Sequence, residues 1–334
     1  MTQVRRLRSF LVELGLLAVL LIVPLFVSAP YILHVFIMLF YVAMLAVAWN
    51  ILGGLTGQFS LGHAAFMAIG AYASTLLMIK FGVSPWIGMI VGAILAGVIA
   101  AIIFYPCFVL RGPYFALATI AFAETFRNLF TNWETVGKAQ GILLPMVERS
   151  WRNFHFSGKL PYYYIGLGML LVIYGSFAIL ERSRLGYAFK CVREDEDTSN
   201  AIGINVVKYK LLAAFLSAAF TAVAGTYYAQ YVRYVEPDLM LGGYSIEIVL
   251  PAIIGGIGTV GGPLLGAFIL MPISEYLRVM LGNVIPGSHL IAYSILLILI
   301  IRVKPLGLVG WLNSLAWFRQ LSGAKLGVAD TVKK

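Results

Sequence analysis

Residues 31–79 read YILHVFIMLFYVAMLAVAWNILGGLTGQFSLGHAAFMAIGAYASTLLMI, and this stretch decides the fold. Its two ends, 31–52 and 61–79, are apolar runs of the length a helix needs to cross a hydrocarbon layer, about 20 residues. Between them stand Gly53, Gly54 and Gly57 with the polar residues Thr56, Gln58 and Ser60. Irregular backbone next to two such helices cannot face lipid, because its amides would go unpaired. It must be buried in protein or line a cavity, and either case requires further helices around it.

The rest of the chain supplies them. Hydrophobic residues make up 61% of the sequence and charged residues 11%, with a mean hydropathy of +0.91. A soluble domain cannot bury that much apolar surface, so the bilayer is the solvent. Further runs of spanning length lie at 9–29, 86–109, 114–130, 162–180 and 211–233. A short run at 245–258, interrupted by glycines, precedes runs at 262–280 and 289–302. The predicted fold is all-α, a polytopic transmembrane bundle over residues 1–315 with a tail at 316–334. MTQVRRLRSF leads into the first run without a small-residue cleavage pattern, so that run reads as a retained span. Cys107 lies in an apolar run and Cys191 in a charged loop, which implies no disulfide.

Positive charge sets the orientation, because cytoplasmic loops hold the Lys and Arg excess. With ten crossings, one side collects Arg5, Arg6, Arg8, Arg111, the six bases of 181–210 and the six from Arg302 onward, 16 in all, against 6 on the other. A re-entrant 245–258 would turn this into 10 against 12. Ten spans with both termini cytoplasmic are therefore expected. The connection 131–161, with Trp133 and Trp151, then lies outside and the loop 181–210 inside. In that loop Val192, Ala201, Ile202 and Val206 are expected to line one face of short helices broken near Gly203.

The segment SRLGYAFKCVREDEDTSNAIGINVVKYKLLAAFLSAAFTAVAG, from Ser183 to Gly225, resembles the signature of permease subunits from ATP-binding-cassette importers for branched-chain amino acids, of the LivM type. The same resemblance is carried by residues 50–72, by LRGPYFALATIAFAETFR at 110–127 and by GGIGTVGGPLLGA at 255–267. The four blocks keep their order over most of the chain. The resemblance implies a second related permease, two cytoplasmic ATPase subunits and an extracytoplasmic substrate-binding protein as partners, in a bacterial inner membrane. It also implies that Arg193, Glu194, Glu196, Ala201, Gly203 and Asn205 dock the ATPase. This chain has Thr198, Ser199 and Asn200 where the family commonly has adjacent alanines.

Around the glycine junction, Asn50, Gln58, Ser60, Gly62 and His63 are candidates for a substrate pathway, while small-residue spacing there equally suits close helix packing. No Cys or carboxylate stands at ligand spacing from His63, so no metal is expected. Gly256, Gly258 and Gly261 form a GxGxxG, but no strand precedes it. Residues 255–262, with Gly255 and Gly262, instead read as a tight interhelical turn, the counterpart of 53–62, in a two-half pseudo-repeat. Glu124 and Arg127 share a helix face at i, i+3, and Glu275 and Arg278 repeat the spacing. Each pair either anchors at the membrane boundary or, as a second reading, faces the pathway, where Glu124 and Arg127 would receive a zwitterionic amino acid.

No GxxxxGK[ST] occurs, so ATP must be bound by other chains and no cofactor is expected here. The expected function is non-catalytic: a permease subunit working by alternating access, for branched-chain or other hydrophobic amino acids. Urea or short amides are the alternative cargo within the same family. An ion-coupled secondary transporter is the alternative mechanism, and it needs an acid at mid-membrane, whereas Glu13 and Glu247 lie near span ends. An enzyme is the weakest reading, since His34, His63, His155 and His289 are scattered.

Overall fold

The computed structural model describes residues 19–24, 29–110, 112–146 and 148–281, with isolated positions at 294, 298, 302 and 308–310. Ten helices follow one another within it. They are α1 (Pro30–Asn50, continued as a wider turn over Ile51–Leu55), α2 (His63–Phe81), α3 (Pro85–Cys107), α4 (Pro113–Asn132) and α5 (Lys159–Arg182). Then come the short α6 (Arg184–Glu194) and α7 (Glu196–Ala201), followed by α8 (Val206–Val232), α9 (Gly242–Gly255) and α10 (Gly262–Leu281). Two-residue strands β1 (Ile142–Leu143) and β2 (Tyr234–Val235) pair antiparallel. The expected spans at 9–29 and 289–302 lie mostly outside the described residues, and the tail at 316–334 wholly so.

Local chemistry sets the ends of these helices. Pro30, Pro85 and Pro113 open α1, α3 and α4 at positions where the missing N–H costs nothing. Gly82 closes α2 in the left-handed conformation, φ 61°. Among the described residues, six segments are long and apolar enough to cross a membrane: α1 with its continuation, α2, α3, α5, α8 and α10. On the outer face of α3, Ile90, Ile94, Val98 and Ile102 recur at i, i+4 spacing and are exposed, as a lipid-facing stripe should be. The protein is a multi-pass membrane protein.

Helix α8 forms the core by packing on α2 and α3. Its approach to α2 is so close that a Cβ on Gly225 would fall 1.9 Å from Met67 O, and one on Gly70 2.2 Å from Ala222 O. The Thr226 hydroxyl donates to the Gly70 carbonyl across the same crossing, at 3.0 Å. Small residues thus bring the two backbones together, and contact is made by shape and hydrogen bonding, as it must be where lipid supplies no hydrophobic drive.

The connections sort to two ends. At one end lie the turns 51–62 and 256–261 with α6 and α7. At the other, the Ser84 hydroxyl donates to Arg152 O at 2.6 Å, the Trp86 indole to Trp151 O at 2.9 Å, and β1 of the long 131–161 connection pairs with β2. Helix α9 has 14 residues, about 21 Å, short of the roughly 30 Å of a hydrocarbon core. The chain before it makes up the difference. The turn Pro237–Met240 leaves the far end and packs on α2 and α4 with Leu239 and Met240 buried, so α9 begins within the bundle.

Candidate functional site

The two glycine turns meet. The Asn50 side chain, fully buried at the end of α1, receives the Gly258 N–H at 2.8 Å and donates to Thr259 O at 3.0 Å. One amide thus satisfies both a donor and an acceptor of the turn between α9 and α10, across 208 residues of sequence. Gly54 has to be glycine for this contact, since a Cβ there would lie 2.0 Å from Asn50 Oδ1 and 2.7 Å from Gly258 N. Gly258 adopts φ 73°, and its own Cβ would strike Arg193 Nη1 at 2.6 Å.

Arg193 is the third member of the cluster. It projects from the last turn of α6, and Nη1 donates to Gly54 O at 3.0 Å while Nη2 pairs with Glu194 at 2.9 Å. Its alkyl stem covers Gly57, where a Cβ would lie 2.9 Å from Arg193 Cγ. A short helix lying outside the bundle is thereby bonded to the first glycine turn and set against Gly258 of the second.

A second fastening lies alongside. Lys210, on the first turns of α8 and only 1% exposed, places its ammonium 2.5 Å from a Glu196 carboxylate oxygen and 5.5 Å from the centre of the Phe108 ring. Gln58 Nε2 approaches the same oxygen at 3.5 Å. Asp195 caps α7 by accepting from Thr198 N at 2.5 Å, and Asn205 caps α8 by accepting from Lys208 N at 3.0 Å. Between the glycine turn and these helices lies a cleft of about 270 Å³, lined by Thr56–Phe59, Gly112, Phe115 and Val192–Asp197.

The residues expected to dock a partner therefore divide into two groups. Arg193, Glu196 and Asn205 make bonds that hold the helices in place, whereas, among the described residues, exposed Ala201 and Gly203 make no such side-chain bond and exposed Glu194 pairs only with its neighbour Arg193. The face expected to unite Val192, Ala201, Ile202 and Val206 does not form. Val192 and Val206 are buried, but Ala201 and Ile202 point outward, with Ile202 67% exposed. The physical reason is the break at Asp195, which makes α6 and α7 separate helices, together with Gly203 at φ 88°, which turns the chain before α8.

Among the residues singled out near the glycine junction, Asn50, Ser60, Gly62 and His63 are buried and Gln58 is half-buried. His63 Nε2 lies 2.8 Å from Ser217 Oγ, which donates to Ala48 O at 2.7 Å, and Nδ1 lies 3.2 Å from Ser60 Oγ. Both ring nitrogens are thus matched inside the bundle. Gly255 and Gly262 close the second turn, a Cβ on Gly255 falling 1.7 Å from Gly262 O, and Gly256 opens it at φ 129° while Gly261 sits half-exposed. Gly53 packs under the Trp49 ring.

Glu124 and Arg127 are far from this junction. Arg127 Nη2 lies 2.5 Å from Glu124 and Nη1 3.1 Å from Asp238, tying α4 to the turn before α9 with the carboxylates 43% and 58% exposed. Accessible pairs of this kind contribute about 0–1 kcal/mol. Glu124→Gln with Arg127→Met is expected to lower thermal stability slightly and to leave solute uptake near the parental rate, measured in the same membranes. A fall in uptake with unchanged substrate affinity and stability would contradict the anchoring role.

A larger cavity, about 430 Å³, lies between α1, α8, α9 and α10. Into it open Glu247, Glu275 and Arg278. Sequence spacing puts Glu247 near the end of a span, and the structure places it in the second turn of α9, exposed on the wall of this cavity. Two residues earlier, the Ser245 hydroxyl accepts from Ala64 N in the first turn of α2 at 3.1 Å. The signal available in sequence was a lone acid in the run 245–254, whose depth could not be known without the buried turn ahead of it.

The family model for the branched-chain amino acid transport system permease component matches residues 31–302. The chain belongs to this family. Its relatives include the high-affinity branched-chain amino acid transport system permease protein LivM of Escherichia coli (strain K12), 30% identical over 259 residues, 70% of this chain and 61% of that one. The chain is also similar to the probable branched-chain amino acid transport permease protein LivM of Methanocaldococcus jannaschii, 24% identical over 319 residues, 81% of this chain and 90% of that one. A third relative is the LivH permease protein of Salmonella typhimurium, 24% identical over 292 residues, 80% of this chain and 91% of that one. The match thus spans about three fifths of the first relative's length. No solved structure matches. The matched residues take in both glycine turns, α6, α7 and the larger cavity.

Proposed function

We propose that this chain is a permease subunit of an ATP-binding-cassette importer for branched-chain or other hydrophobic amino acids, in a bacterial inner membrane. The observation that carries the reading is that α6 and α7, which lie outside the bundle, are held to it by Arg193, bonded to Gly54 of the first glycine turn and set against Gly258 of the second, and by Glu196 on Lys210. A partner that moved these helices would move the ends of α1 and the turn between α9 and α10 together. The partner is a pair of cytoplasmic ATPases, and their docking face is the exposed ridge of Glu194, Ala201, Ile202 and Gly203. The end bearing these helices then faces the cytoplasm. The opposite end, with 131–161 and 234–241, meets an extracytoplasmic binding protein, and a second related permease completes the pathway. Ten crossings, both termini inside, a pseudo-repeat of two halves and alternating access belong to the same reading.

Ala201→Glu with Ile202→Glu, two exposed positions of that ridge outside the fastenings, is expected to abolish co-purification of the ATPase while the protein remains inserted. Retained association would overturn the docking assignment.

A second reading, ion-coupled transport, gains support from Glu247, an exposed acid on the wall of a cavity at membrane depth. The two readings separate cleanly, since ion coupling requires uptake to collapse when the proton gradient is dissipated at constant ATP.

A further inference from the structure

We infer that the cavity between α1, α8, α9 and α10 holds the solute during its passage, as a zwitterion with an apolar side chain, its ammonium on Glu247 and its carboxylate on Arg278. The inference rests on the importer reading above and adds to it a place and a chemical basis for selecting cargo.

The cavity has two kinds of wall. Toward the middle of α1 and α10 it is lined by Met38, Val42, Leu45 and Leu270, with Glu247 level with Leu270 because Pro251 packs on Gly266, and nearer the far end of the bundle by Tyr244, Glu275 and Arg278. Along α10 the apolar and charged parts are separated by the rise from Leu270 to Arg278, about 12 Å. Its volume, about 430 Å³, lies in the lower part of the range for small-molecule sites, roughly 300–1,000 Å³.

The charges are not spent on each other. Glu275 is nearly buried, its side chain 7% exposed, and receives Arg278 Nη2 at 2.6 Å. That bond fixes the guanidinium yet uses one of its five N–H donors, and the Arg278 side chain remains 54% exposed, so it can still offer a paired donor edge to a carboxylate. Glu247 makes no hydrogen bond or ion pair among the described residues, and it stands exposed on the cavity wall in a helix of otherwise apolar residues at membrane depth. A carboxylate so placed is costly unless a cation meets it. An amino acid supplies the ammonium for Glu247 and the carboxylate for Arg278, and a branched apolar side chain fills the space beside Val42 and Leu45. Urea has neither a charge for these groups nor a body for the apolar wall.

The test uses the complete transporter in proteoliposomes with saturating binding protein, scoring the maximal rate of radiolabelled leucine uptake beside ATP hydrolysis. Glu247→Gln and Val42→Trp, which touch no fastening in the fold, are each expected to cut uptake about tenfold or more while the complex assembles and hydrolyses ATP; Glu247→Asp keeps most of it. Leucine uptake at the parental rate in both Glu247→Gln and Val42→Trp would overturn the site and leave the importer reading intact. Parental transporter that hydrolyses ATP and carries urea but no amino acid would overturn both. Uptake by the parental protein that follows a proton gradient and vanishes in Glu247→Gln would also overturn the site, making Glu247 a proton carrier.

Discussion

Glu196→Gln is expected to destabilise the folded chain by about 3 kcal/mol, and adding Lys210→Met to recover most of the loss. Lys210 is 1% exposed and has its ammonium 2.5 Å from Glu196. Removing the carboxylate leaves a charge that water cannot reach. Glu196 itself is 26% exposed, so some of the penalty is relieved by hydration, which is why the expected cost sits at the low end for breaking a buried pair, about 3–5 kcal/mol. Methionine at 210 removes the stranded charge and keeps an aliphatic stem against Phe108, a favourable thioether-ring contact. Thermal unfolding in detergent checks both steps. A single variant as stable as the parent, or a double variant no better than the single, would show that the pair does not hold α7 to α8.

Asn50→Leu should have a comparable effect for a different reason. The buried amide satisfies Gly258 N and Thr259 O at once, and leucine satisfies neither. Two unpaired backbone groups cost about 1–3 kcal/mol each. The expected total is about 3–4 kcal/mol, seen as a fall of about 5 °C or more in the unfolding midpoint. Because the bond links the glycine turns, the variant should also lose the protection of residues 256–261 from proteolysis before the rest of the bundle unfolds. Protection lost only with global unfolding would indicate that the turns are held independently of Asn50.

The helices were legible because their signal is local. Apolar runs ended by Pro30, Pro85 and Pro113 fix where α1, α3 and α4 begin. Helix α9 was read as a short crossing at 245–258, but its depth depends on the buried turn at Pro237–Met240, a tertiary fact with no periodic pattern. The segment 181–210 was legible as helices broken near Gly203, yet its expected apolar face does not form. Ile202, expected on that face with Val192 and Val206, is 67% exposed while they are buried. The glycines announced a turn buried in protein, but nothing in 53–62 says that Asn50 reaches Gly258, because that pairing joins positions 208 apart. Lys210 passed as an ordinary loop base, and only the carboxylate and ring that enclose it mark it as part of the core.

The proposed activity is inward passage of hydrophobic amino acids at the expense of ATP bound by partner chains. The measurement that tests it most directly is radiolabelled leucine uptake into proteoliposomes holding this protein, its partner permease, the ATPases and the binding protein, with valine, phenylalanine and urea as competitors. The account predicts uptake that needs ATP, survives collapse of the proton gradient and is competed by valine and not by urea. Uptake without ATP, or uptake lost with the proton gradient while ATP is held constant, would contradict it.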